Sequence, residues 1–508
     1  MKNMEFTEHI KKGYTTKGDS IFLGAAMLEG KPIPEAQITI PLKTLNRHGL
    51  IAGATGTGKT KTLQILAENF SEKGIPVLLM DIKGDLSGIA KAAENSEKLV
   101  ERHRSIGHEF NPQASPVEIM SLSEQPGLKL KATVSEFGPV LLARILELSE
   151  TQTGILAILF KYCDDNHLPL LDLKDLKRIL NYSTGEGQEE IEQNYGRISK
   201  ASTGSIMRKI VSLEQQGAEH FFGEPSFEVQ DLTRKTADGR GYVNIIRLDD
   251  IQDKPNLFST FMLSLLAEVY SSFPEQGDSQ KPELIIFIDE AHLIFREASK
   301  ALMDQLESII KLIRSKGIGI YFVTQDPTDV PSEILGQLGL KIQHALRAFT
   351  AKDRKAIKLT AENYPLSEYY DTKTVLTSLG IGEALVSVLD EKGRPTPLAA
   401  TMLRAPRSRM DVLTPQEISE IISGSELLPK YNKEVDRESA YELLGEKIAR
   451  AEKEDAREKA RKERETLERS TRGSRSRSSG GTQGAVIKVL TSASFIRGVM
   501  SILNKAFK

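Results

Sequence analysis

Apolar positions along the chain fall into two kinds of segment. Some are short, dense runs with few charges; others carry apolar residues at helical spacing. Gly49-Leu50-Ile51-Ala52, Val77-Leu78-Leu79-Met80-Asp81, Tyr242 to Leu248, Leu284 to Ile288, Ile318 to Thr324 and Lys341 to Leu346 are of the first kind. Such runs predict strands buried on both faces. Thr62 to Phe70 sets Leu63, Leu66, Ala67 and Phe70 at helical spacing, and Pro255 to Ser271 reads as a second long helix. Strands alternating with helices predict an α/β core with a mostly parallel sheet and right-handed crossovers. Ile21 to Gly24 and Ile38 to Ile40 predict two short strands ahead of this core. Glu383 to Leu389 and Thr396 to Met402 predict a hairpin turning at Asp390-Glu391-Lys392-Gly393-Arg394.

From about 137 to 220 the helical period takes over. Val140 to Leu148, Gln152 to Asp164, Leu173 to Leu180 and Glu189 to Gln215 read as helices, with a break at Tyr182 to Gly187. We read this stretch as a helical subdomain inserted into the core. Tyr441 to Arg469 is dense in Glu, Lys and Arg, and its apolar a/d positions are not sustained. That predicts a solvated helix rather than a coiled-coil strand. Ser470 to Gly484 reads as a linker. Ala485 to Lys508 carries Val489, Leu490, Ile496, Val499, Leu503 and Phe507 among basic residues. It is suited to docking on a partner helix or to peripheral membrane contact. The expected division is a flexible N-terminus (1–20), a first part of the α/β core (21–136), the helical insert (137–220) and the second part of the core (221–410). A charged helical extension (411–470), a linker (471–484) and an amphipathic helix (485–508) follow.

The chain has 508 residues, 39% hydrophobic and 27% charged, with a net charge of −2. No global basic field advertises nucleic acid, so a DNA site would have to be local, such as the inside of a ring. A single cysteine, Cys163, excludes an internal disulfide and disfavours a cysteine-based zinc site. Met1 to Ser20 lacks the apolar core of a signal peptide, and no apolar run is long enough to span a bilayer. The expected location is cytoplasmic.

The sharpest chemical signal is Gly53-Ala54-Thr55-Gly56-Thr57-Gly58-Lys59-Thr60, followed by Lys61. It satisfies the phosphate-loop pattern in full. A loop wrapped around a triphosphate points its backbone N–H groups inward. A Cβ at Gly53 or Gly58 would obstruct the turn or the approach of phosphate. Lys59 is expected at the β- and γ-phosphates of ATP, and the Thr60 hydroxyl on Mg2+. The strand before the loop and the helix after it are the context the motif requires, and the helix N-terminus adds its pull on the anion.

Glu283 to Glu290 is the second signal: an apolar strand delivering two adjacent carboxylates. Asp289 would hold Mg2+ through a water, and Glu290 would polarise the attacking water as general base. Acidic turns at strand ends are common, but pairing with a phosphate cradle makes this one specific. Gln325 ends the next strand, where a neutral amide can sense the γ-phosphate or orient water; an ordinary loop glutamine is the alternative. Arg314, in Ile313-Arg314-Ser315-Lys316-Gly317, either balances a helix C-terminus or acts as an arginine finger in a neighbouring subunit's site. Arg347 competes for that role, and the residues alone do not choose.

Arg47-His48-Gly49-Leu50 through Thr60, Asp289-Glu290-Ala291-His292, Arg314-Ser315-Lys316-Gly317-Ile318 and Thr324-Gln325-Asp326-Pro327 together resemble the HerA-like DNA-translocating ATPases of the HerA/FtsK superfamily. Asp81-Ile82-Lys83-Gly84-Asp85-Leu86-Ser87-Gly88, Gly138 to Arg144, Leu171 to Leu176 and Leu379 to Ser387 are similar to the bacterial YjgR-like branch. The resemblance covers roughly residues 20 to 410. It implies a RecA-like core, a homo-oligomeric hexameric ring, ATP hydrolysis at subunit interfaces and passage of double-stranded DNA through the pore. Carried over by position, Lys59 and Thr60 take phosphate and Mg2+, Asp289 and Glu290 act as metal carboxylate and base, and Gln325 is the sensor. Arg314 matches the trans-acting arginine and is favoured over Arg347. HerA proteins carry a sizeable β-barrel before this core; the residues up to Gly53 are too few for one, so the HerA manner of docking a nuclease partner is not expected. The alternative reading is a membrane- or assembly-associated ATPase motor acting on protein, related to secretion and conjugation ATPases, and the tail 485–508 is the feature favouring it.

Overall fold

The short apolar runs assemble into one twelve-stranded sheet. Its strands are β1 (Ser20–Leu28), β2 (Lys31–Pro41), β3 (Gly49–Ala52), β4 (Val77–Asp81), β5 (Val117–Ser121), β6 (Leu128–Lys129), β7 (Val243–Arg247), β8 (Leu284–Ile288), β9 (Ile318–Thr324), β10 (Leu340–Gln343), β11 (Glu383–Ser387) and β12 (Ala399–Leu403). The structure, a computed structural model, describes residues 2–473 except 252, 278, 298, 299, 434 and 436. The expected amphipathic helix at 485–508, and all of the expected linker beyond residue 473, lie outside the described residues. The chain divides into two units, 1–444 and 445–508. The sheet belongs to the first; the described part of the second is helical, within Ala440–Gly473.

Sheet order is β2-β1-β12-β11-β10-β3-β9-β8-β4-β7-β5-β6. From β10 to β6 all pairings are parallel, and from β10 to β2 all are antiparallel. The parallel part carries the predicted alternation, and β3, β4, β8 and β9 are buried at every position. The result is a RecA-like α/β fold in which one strand, β9, separates the phosphate-loop strand from the acidic-doublet strand.

The strands expected at Ile21 and Ile38 are long, nine and eleven residues, and form a hairpin. Glu29 and Gly30 close it with φ of 54° and 77°, the two left-handed positions a tight hairpin turn needs. The flexible N-terminus expected over 1–20 is instead a helix, Lys2–Tyr14. Phe6, Ile10 and Tyr14, four apart, are buried on one narrow stripe, and the Tyr14 hydroxyl donates to the carbonyls of Val386 and Pro397 at 3.0 and 2.8 Å. Between β6 and β7 lie five helices, Val134–Ile145, Glu150–Asp165, Leu173–Tyr182, Gln188–Tyr195 and Lys200–Glu214. The single helical stretch expected from 189 to 215 is two helices, parted at Gly196 with φ 96°.

The helix Lys59–Glu72 follows the phosphate loop, and an aromatic cluster pins it to the sheet. Phe70 stacks on Phe287 of β8 at 6.0 Å between centroids and meets the edge of Tyr321 of β9 at 5.8 Å. Its polar face is buried as well. The segment 404–410 crosses it, and Glu68, 2% exposed, accepts from Arg404 Nη2 at 3.1 Å and from the backbone N–H groups of Arg407 and Ser408 at 3.0 and 2.8 Å.

Candidate active site

Parallel register places the two sequence signals side by side. Ala52 pairs with Thr324, and Ile288 pairs with Phe322. Gly53, Asp289 and Gln325 therefore leave the same edge of the sheet. With β9 between them, β3 and β8 stand about 10 Å apart, a gap spanned by the loop on one side and the carboxylates on the other. Open parallel sheets bind ligands at this edge.

The phosphate loop is held from below. The Gly53 N–H donates to Thr324 O at 3.3 Å, and the Ala54 N–H donates to Ala345 O at 2.9 Å. Gly53, Gly56 and Gly58 have φ of 152°, 78° and 111°. A Cβ on Gly53 would lie 2.5 Å from His344 Cβ, whereas one on Gly56 would meet nothing within 4 Å. His344 fills the space beneath the loop, sharing a 2.9 Å hydrogen bond with the Thr62 hydroxyl. Burial lowers its pKa to about 4, so the support under the phosphate site is neutral. Gly58 caps the helix without a side-chain hydrogen bond, leaving first-turn N–H groups to face an anion. Thr55 and Gly56 are exposed at the loop's crest and Thr60 is half-buried.

Lys59 is buried and folds onto its own loop, donating to Gly53 O at 2.7 Å and Ala54 O at 3.2 Å. Burial and the neighbouring Lys83 ammonium pull its pKa down, while Glu290 and Asp289 act against that shift. The lysine and the acidic doublet thus share one electrostatic neighbourhood. Lys61 turns away and donates to Met410 O, so the structure ties it to the crossing segment.

Asp289 and Glu290 are 4% and 5% exposed. Asp289 Oδ1 accepts from the Glu290 N–H at 2.9 Å. Burial pushes Asp289 up to about 6, opposed by Lys83. A buried carboxylate disfavoured as an anion is an oxygen donor that fits a hard divalent cation. Glu290 has φ 44°; its Oε1 pairs with Lys83 Nζ, and its Oε2 lies 3.1 Å from His292 Nδ1. Gln325 is exposed, and its Oε1 accepts from the Thr55 hydroxyl at 3.3 Å.

Arg314 is not with this group. It opens the 3-10 turn Arg314–Lys316 before β9, at the end of that strand opposite Gln325. Seven residues of strand separate the two ends, roughly 20 Å. Arg314 lines a cleft of about 410 Å³ with Lys43, Asn46, Arg47 and Lys311. Arg347 lies on the phosphate-loop edge, two residues beyond Ala345, and is exposed.

Residue-type reasoning did not single out Lys83, Asp81, Asp85, His292 or His344. Asp81 ends β4 and accepts from the N–H groups of Asp85 and Leu86, both at 3.1 Å, and burial raises it to about 7. The available signal was the loop Ile82 to Gly88 following a buried strand. Its position at the functional edge was legible; its contacts were not.

A family model described as Helicase HerA-like C-terminal matches residues 27–506. The DNA double-strand break repair helicase HerA of Sulfurisphaera tokodaii is 25% identical over 376 residues, 72% of this chain and 68% of that protein. Its counterpart from Saccharolobus solfataricus is 25% identical over 383 residues, 75% and 68% of the two chains. In fold, the chain is similar to the bacterial conjugative coupling protein TrwB in unbound form, with TM-score 0.51, 14% identity and 80% and 94% of the two chains covered. A second TrwB structure, solved with a non-hydrolysable ATP analogue, gives TM-score 0.50 at 15% identity, covering 80% and 95%. With a complete phosphate loop facing an acidic doublet across one strand, on a family match spanning nearly its whole length, the chain belongs to the HerA-like helicase C-terminal family and is a P-loop ATPase.

Proposed function

We propose that this ATPase works as a homo-oligomeric, hexameric ring in the cytoplasm, hydrolysing ATP with Mg2+ at its subunit interfaces and moving or remodelling double-stranded DNA. The observation that carries the interface reading is the position of Arg314. It lies at the opposite end of β9 from its own phosphate loop, out of reach of its own nucleotide, which supports a role in a neighbour's site. Arg347, beside its own loop, is the weaker candidate for a trans role. DNA as the polymer is supported by the curated relatives, which are named as DNA repair helicases.

In the proposed site the loop N–H groups from Gly53 to Thr60 bind the phosphates, and Lys59 leaves its loop carbonyls to meet the β- and γ-phosphates. Thr60 and Asp289 would hold Mg2+, which when bound neutralises phosphate charge. Glu290 takes a proton from the attacking water, and Gln325, fixed against Thr55, orients that water or senses the γ-phosphate. Rate comes from positioning and charge stabilisation at a buried edge.

The test is ATP turnover by wild type, Lys59→Ala and Glu290→Gln, with and without duplex DNA over a range of salt. Both variants should lose turnover, and DNA should stimulate the wild type less as salt rises. Unimpaired hydrolysis by either variant overturns the site; absence of DNA stimulation at every salt concentration overturns the polymer. The rival, a membrane- or assembly-associated motor acting on protein, was favoured by the segment 485–508, which lies outside the described residues. Among the described residues no helix is long and apolar enough to cross a membrane.

A further inference from the structure

We propose that Lys83 is a two-position latch on Glu290: paired with Glu290 it holds the site idle, and passing to Asp85 it releases the base. This rests on the assignment of Glu290 as base in the preceding reading.

Both seats are present. Lys83 Nζ forms an ion pair with Glu290 Oε1. Glu290 is held at φ 44°, a left-handed conformation unfavourable for a residue with a side chain, so its orientation depends on its contacts. Those contacts cover both oxygens, Lys83 on one and His292 on the other. Neither oxygen accepts a hydrogen bond of good geometry; the hold is charge against charge and can be released without orphaning a donor. With Lys83 on Oε1 and His292 at Oε2, both oxygens are screened from an attacking water. The second seat is Asp85, two residues along the same loop. Its carboxylate attracts the Lys83 ammonium, and its Oδ1 is buried without a hydrogen-bond partner. Gly84 between them has φ 72°. The two partners also differ in access: the Lys83 side chain is 37% exposed and that of Glu290 7%. The cation is the part that can move.

Filling the cradle supplies the trigger. Lys59 already feels Lys83 as a repelling charge. When a triphosphate fills the cradle, its negative charge competes with Glu290 for the Lys83 ammonium and loosens the pair, and Asp85 is the neighbouring carboxylate that takes it up. Lys83 is thus a positioning residue that acts through Glu290, with no contact to substrate required.

Steady-state kinetics of the full chain, without DNA, test the latch. Lys83→Met should raise kcat at least about threefold, because a base locked most of the time is freed, with KM for ATP within about twofold of wild type. Lys83→Gln should behave likewise, and Lys83→Arg should restore the low rate. Asp85→Asn, which removes the release seat, should lower kcat at least about threefold. Lys83→Met combined with Asp85→Asn should match Lys83→Met alone. The proposal is overturned if the neutral variants at position 83 turn over no faster than wild type, if they change KM alone, or if Asp85→Asn is not slower. Failure of the base assignment reads differently: Glu290→Gln would then hydrolyse ATP like wild type, whatever position 83 does.

Discussion

The three loop glycines have left-handed backbones in unequal surroundings, which turns them into an internal control. Replacing Gly56 (φ 78°) by alanine places the new Cβ in open space. Only the backbone penalty applies, about 1–2 kcal/mol. At Gly58 (φ 111°) the new Cβ would sit 3.2 Å from the Gly382 nitrogen, so a small displacement of the 380–382 turn is added. At Gly53 (φ 152°) it would lie 2.5 Å from His344 Cβ and 3.1 Å from His344 Cα. These are atoms near the main chain that cannot swing aside. Overpacking of this kind adds about 1–3 kcal/mol, so Gly53→Ala should cost about 2–5 kcal/mol in total. Urea unfolding followed by circular dichroism, with the denaturant slope unchanged, measures each difference. Because the clash is with Cβ, His344→Ala should not rescue Gly53→Ala. Gly53→Ala no less stable than Gly56→Ala, or rescued by trimming His344 to alanine, would refute the argument that His344 sets the shape of the loop.

Glu68→Gln should destabilise by roughly 3–5 kcal/mol, since it strands the buried Arg404 guanidinium; replacing both by methionine should recover most of that loss in the same urea experiment. His48 donates to Ile310 O at 2.9 Å and accepts from the Ile320 N–H at 3.0 Å, and burial holds its pKa at about 4. Below pH 6.5 the unfolded chain binds this proton and the folded chain does not. The histidine's contribution therefore falls by about 3 kcal/mol from pH 6.5 to pH 4. The stability gap between wild type and His48→Gln, read from melts across that window, should narrow as pH falls; a constant gap refutes the assignment. Arg314→Ala and Lys59→Ala, each inactive alone, should regain ATP turnover in mixed rings, because a Lys59→Ala subunit supplies its intact arginine to the intact loop of an Arg314→Ala neighbour; no recovery on mixing would refute the trans role.

Local chemistry was the most legible part. The phosphate loop is contiguous, and its glycines, lysine and threonine each answer a requirement of phosphate binding that does not depend on the rest of the fold. The parallel core was legible for a related reason. Strands buried on both faces must be apolar throughout, so β3, β4, β8 and β9 stand out as runs. The N-terminal helix was missed because Phe6, Ile10 and Tyr14 make a stripe one residue wide in a charged segment, which carries no weight until the hairpin of β1 and β2 offers a surface to cover. The hairpin of β1 and β2 was underestimated because its turn depends on Glu29 adopting a left-handed φ, which glutamate does not advertise. β6 is a two-residue strand at the sheet edge, and β5 lies next to it with little pattern to read.

By itself the sequence determined the cradle, the acidic strand end, the α/β alternation and the family, since each is written in adjacent residues or in a period of the chain. Only the tertiary structure decided which groups meet. Register across β9 brings Asp289 and Glu290 to the loop. The separate strand β4 delivers Lys83 to Glu290, and the return of the chain after β12 buries Glu68 against Arg404. These contacts join residues far apart along the polymer, and they follow from the order in which strands pair, which no local run of side chains specifies.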